Sequence, residues 1–167
     1  IMIQRKQTLF LLLAVIAIVA CLFLPIAGME PKTAMGSDSL LYNLGVVGGD
    51  QGGIMFSSTC LPMFLLLAVS ACLSLVNIFM YKNRNLQKTL CSVALLFGVL
   101  WYIDYALMLF GIVLPVADTA AHNLDLSGKV SLKFAACLPL VSMLLVWMAK
   151  KGVNDDINLL KAADRIR

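Results

Sequence analysis

A chain of 167 residues that is 61% hydrophobic and 13% charged lies far from soluble domains, which are about half apolar and a quarter charged. A water-soluble fold of this length could not cover so much apolar surface, so a soluble catalytic domain is excluded and a bilayer is the natural solvent. The net charge of +4 then reads as attraction to anionic lipid headgroups, not as a nucleic-acid footprint.

Crossing roughly 30 Å of hydrocarbon takes about 20 mainly apolar residues. Four segments qualify, at about 9–27, 61–80, 90–114 and 132–149. The expected fold class is an all-α membrane protein: a four-helix transmembrane bundle forming one domain over 1–167, with outer loops 28–58 and 115–129 and a cytoplasmic tail 150–167.

The first span carries no charge. Arg5 and Lys6 ahead of it would also suit a signal peptide. Ile18-Val19-Ala20-Cys21 loosely matches a lipoprotein cleavage box that would acylate Cys21. The apolar run continues through Leu22-Phe23-Leu24-Pro25-Ile26, where a mature lipoprotein would turn polar, so a retained span is preferred.

In the first outer loop, the apolar runs Leu40–Val47 and Ile54–Phe56 flank Gly48-Gly49-Asp50-Gln51-Gly52-Gly53. They read as a small β-hairpin, the alternative being an unordered glycine-rich loop. A lone hairpin is marginal in water, so it would need the second outer loop or a partner. No Lys and Ser/Thr follow these glycines at phosphate-loop spacing.

Within the spans, Ala14, Ala17 and Cys21 share one face, as do Ser70, Ser74 and Asn77, and Ala94 with Gly98 forms a small-xxx-small pair. Such residues let helix backbones approach and are read as packing seams. Ten Lys and Arg lie on one side (Arg5, Lys6, Lys82, Arg84, Lys88, Lys150, Lys151, Lys161, Arg165, Arg167) and three on the other (Lys32, Lys129, Lys133). The basic side is expected to be cytoplasmic, with both termini there, and Tyr81 and Trp147 anchor its interface.

Asp104 is the one acid inside a span, and an isolated charge there costs about 2.5–3.5 kcal/mol or more. It is expected to pair with Lys133 and lock the third span to the fourth, with Tyr102 and Tyr105 as nearby donors. The alternative is that Asp104 faces a wet outer cavity while Lys133 snorkels to headgroups. His122, in the second outer loop, has no companion at metal-ligand spacing. Cys21, Cys60, Cys72, Cys91 and Cys137 show no paired spacing, and are read as packing residues instead of a disulfide or zinc framework.

The tail reads as a short amphipathic C-terminal helix capped by Asn154. Leu159, Leu160, Ala163 and Ile166 lie on one side and Lys161 and Arg165 opposite. It would rest on the inner leaflet or dock a partner.

Met2-Ile3-Gln4-Arg5-Lys6-Gln7-Thr8 leading into a leucine-rich span, with the closing Ala163-Asp164-Arg165-Ile166-Arg167, resembles the domain-of-unknown-function 4293 family. The resemblance implies a small four-span inner-membrane protein of Bacteroidota, and it supplies no catalytic residues. The layout of the first outer loop is also similar to claudin-like tetraspan proteins, although their Trp-Cys-Cys pattern is absent.

Three functions compete. The first is a non-enzymatic structural or accessory subunit, without cofactor, that binds other membrane proteins or itself. The second is a small transporter or lipid binder using Asp104. The third is an intramembrane enzyme, for which no nucleophile–base pair or carboxylate pair stands out.

Overall fold

The computed structural model describes residues 2–29, 39–48, 55–56, 58–80, 83–110 and 130–166. Among them are four helices: α1 (Met2–Phe23), α2 (Leu61–Phe79), α3 (Arg84–Leu109) and α4 (Leu138–Ile166). Five short strands accompany them: β1 (Ala27–Met29), β2 (Ser39–Leu41), β3 (Gly45–Gly48), β4 (Met55–Phe56) and β5 (Val130–Leu132). By length and composition, α2, α3 and the stretch Phe134–Ala163 can each cross a membrane, while α1 offers the shorter apolar stretch Gln7–Phe23.

The helices form a ring in which each packs on two neighbours, α1 on α2 and α4, and α3 on α2 and α4. The buried positions explain why. They are Gln7, Leu11, Ala14, Val15, Ile18 and Cys21 in α1, and Met63, Leu67, Ser70, Ala71, Ser74 and Asn77 in α2. In α3 they are Gln87, Cys91, Ala94, Gly98, Trp101, Tyr105 and Met108, and in α4 Pro139, Ser142, Val146, Ala149 and Val153. With Val15 and Ala71 buried beside it, each seam has a spine that alternates steps of four and three, the repeat that keeps one stripe inward in a left-handed bundle. Small and polar residues share these seams with larger apolar ones such as Leu11, Leu67 and Trp101, while many large aliphatics, Leu65, Leu96, Ile103 and Leu144 among them, point outward. That inversion suits lipid, where packing depends on close backbone approach. At Gly98 an added Cβ would lie 2.8 Å from Met143 Cγ, so the absence of a side chain sets the α3–α4 approach.

The helix ends follow local chemistry. α1 stops before Pro25, which cannot continue a helix. Pro62 sits in the first turn of α2, where its missing N–H costs nothing. The expected fourth span needs correction at both ends. Its expected first residue, Leu132, ends strand β5, and a 3₁₀ turn at Phe134–Cys137 follows before α4 begins. At the other end, the tail is helical as expected but is part of α4, which runs for 29 residues without a break. Asn154 is therefore interior and not a cap: nothing in Lys150-Lys151-Gly152-Val153 stops a helix already packed on α1.

The strands form one antiparallel sheet in the order β4-β3-β2-β1-β5 at the end of the bundle away from the basic residues. The expected pairing across the glycine-rich segment is present as β3 with β4, in the register Gly45↔Phe56 and Val46↔Met55. The run Leu40–Val47, expected as one strand, folds back on itself. Tyr42 and Gly45 exchange backbone hydrogen bonds of 2.8 and 3.4 Å, and β2 and β3 pair on either side. Support comes from the second outer segment, since β5 pairs with β1. Ala27, Leu41 and Val46, paired across the strands, bury one face of the sheet on the bundle core, and Ile26 just before β1 is buried in the same cluster.

Candidate functional site

The sheet is fastened to the bundle by a residue at the β2–β3 turn. Asn43 is 0% exposed. Its Nδ2 donates to Cys21 O at 2.8 Å, and its Oδ1 accepts from Trp101 Nε1 at 3.0 Å. The last carbonyls of a helix have no partner within it, and Asn43 supplies one for α1. Trp101 stacks on Tyr105 at 5.2 Å and meets Tyr102 edge-on at 5.0 Å. Tyr105 donates to Ile26 O at 3.2 Å, Tyr102 to Ala136 O at 2.8 Å, and Cys21 Sγ to Ala135 O at 3.4 Å. Polar side chains from the loop, α1 and α3 thus satisfy backbone groups at the points where chain enters or leaves the bundle.

This arrangement changes the reading of Asp104. The two tyrosines expected as its donors serve backbone carbonyls instead. The expected Asp104–Lys133 ion pair is not formed: Asp104 Oδ2 is buried without a hydrogen-bond partner. The Lys133 stem lies over β1, where a Cβ on Gly28 would meet Cε at 3.0 Å and Nζ at 3.6 Å. The reason is topological. Lys133 follows β5, and its N–H donates to Ile26 O, so it belongs to the sheet layer and not to a span.

At the basic end, Gln7 Nε2 donates to Asp156 Oδ2 at 3.0 Å and ties α1 to α4. Lys88 Nζ donates to Asn154 Oδ1 at 2.8 Å and ties α3 to α4. In the α2–α3 seam, Asn77 Nδ2 approaches Cys91 Sγ at 2.9 Å, and Ser74 and Ser70 donate to Ser70 O and Ala94 O. Cys21, Cys60 and Cys91 are buried, whereas Cys72 and Cys137 are exposed. Among the described residues no three His, Cys, Asp or Glu gather as a metal site. His122, Tyr81 and the glycine-rich segment 49–53 lie outside the described residues.

Past these ties α4 carries Leu159, 61% exposed, Leu160, 50% exposed, and Ala163, also exposed. Arg165 and Ile166 fall in its final turn, where only the backbone is described. A cleft of about 670 Å³ separates Ile157, Leu160 and Lys161 from the start of α3 at Asn83–Leu86.

No curated protein matches this chain. The family described as Domain of unknown function (DUF4293) matches residues 3–166, nearly the whole sequence. With its two ends and its helical architecture in agreement, the chain belongs to the domain-of-unknown-function 4293 family.

Proposed function

We propose that this protein is a non-catalytic accessory subunit that crosses the bacterial inner membrane four times, with both termini cytoplasmic, and binds another membrane protein or a second copy of itself. The observation that carries the reading is the unbroken α4. It leaves the ring of helices with Leu159 and Leu160 half or more exposed beyond the last interhelical ties. A continuous helix with an exposed apolar edge suits recognition by another helix or a groove. The ten-to-three split of Lys and Arg supports the orientation.

The test is affinity purification from native membranes in mild detergent, comparing the wild type with Leu160→Asp/Ile166→Asp. A co-purifying protein, or a dimer, lost in the variant supports the reading. A wild-type chain that always elutes alone and monomeric counts against it.

A second reading rests on one observation, the buried partnerless Oδ2 of Asp104. Intramembrane acids mark ion or substrate paths, and a transporter would place its coupling site there. Proteoliposome flux that Asp104→Asn abolishes would favour it.

A further inference from the structure

We infer that the cleft between α3 and α4 at the basic end is a binding site for the headgroup phosphate of an anionic phospholipid. Lys88, Trp147, Lys150, Lys151 and Asn154 line this cleft of about 260 Å³. Three lysines contribute to its wall, with the Lys88 ammonium placed there by Asn154, and no carboxylate lines it. Of the two acids that follow, Asp156 is engaged by Gln7 on the α1 side, while Asp155, one turn after Lys151, is exposed and competes for that lysine alone. Lys88 spends one donor on Asn154 and keeps others free, which holds α3 and α4 around the opening.

The rest of the cleft wall selects lipid over a free anion. Trp147 is 54% exposed, and its amphipathic ring belongs at the headgroup level. At three and seven residues before Trp147, on the same face of α4, Leu144 and Leu140 are 55% and 53% exposed. Phosphate at the lysines would thus lie directly above an apolar track for an acyl chain. Basic pockets between membrane helices on the cytoplasmic side hold anionic headgroups in this way. The inference requires α4 to cross the bilayer with Lys150 at headgroup level; it does not require the tail to bind a partner.

Trp147 reports its own occupancy. The full chain is reconstituted in phosphatidylcholine vesicles containing a minor fraction of either brominated phosphatidylglycerol or brominated phosphatidylcholine, and tryptophan quenching is compared. Excess quenching by the anionic lipid is expected, with about fivefold in relative affinity from each lysine. Trp147→Phe should remove the excess and leave the signal of buried Trp101. Lys88→Gln/Lys150→Gln/Lys151→Gln should bring the two lipids to equality while circular dichroism stays unchanged. Equal quenching of the wild type by both lipids overturns the site while leaving the span placement standing. Absence of Trp147 quenching by either lipid overturns the placement and the site with it. Inorganic phosphate that cancels the excess, where sodium chloride of equal ionic strength does not, would assign the lysines to free phosphate and overturn the lipid.

Discussion

Asn43 and Trp101 meet at 3.0 Å, side chain to side chain, though 58 residues separate them. One comes from a turn in the sheet and the other from the middle of α3, and both are fully buried. The contact joins the two layers of the molecule through a polar group that would be costly to bury alone.

Asn43→Ala strands both Cys21 O and the Trp101 indole N–H. Each unsatisfied buried group costs about 1–3 kcal/mol, so a loss of roughly 2–4 kcal/mol is expected in detergent unfolding. Trp101→Phe should cost less at the hydrogen bond, because Asn43 keeps Cys21 O. The double variant should lose less than the sum of the two. Additive losses would mean that the pair does not act as a unit.

Gly98→Leu should destabilise the bundle by about 1–3 kcal/mol, because even a Cβ there presses on Met143. Adding Met143→Ala should recover part of that loss. A Gly98→Leu chain with wild-type stability would show that α3 and α4 can separate at no cost.

Asp104 and Lys133 should behave independently. Asp104→Leu removes a buried partnerless oxygen and is expected to stabilise by about 1–3 kcal/mol. Lys133→Ala should change stability by less than about 0.5 kcal/mol, as for a surface side chain. Coupling between them in a double-mutant cycle would restore the ion pair.

The four-span topology predicts that cysteines introduced at Asp50 and Lys161 in a cysteine-depleted chain label from opposite faces of sealed vesicles. Labelling of both from one face would mean an even number of crossings between them, where the four-span topology has three, and would overturn it.

Composition and periodicity alone determined the helical class, the small-residue seams (save that Ile18 and not the half-buried Ala17 lies between Ala14 and Cys21) and the hairpin partnership of β3 with β4, because each depends on neighbours a few residues apart. The resemblance at the two ends was likewise local, and it named the family. What only the tertiary structure decided are the meetings between distant segments. Asn43 lies inside the apolar run Leu40–Val47, where nothing local singles it out; its burial follows from the fold-back at Tyr42–Gly45, which brings it to the end of α1. Lys133 looked like the start of a span, yet backbone pairing with Ile26 and Gly28 drew its segment into the sheet. The continuity of α4 was hidden by Asn154-Asp155-Asp156, which has the chemistry of a helix start. Packing against α1, with Gln7 against Gly152 and Asp156, outweighs that local preference and carries the helix through.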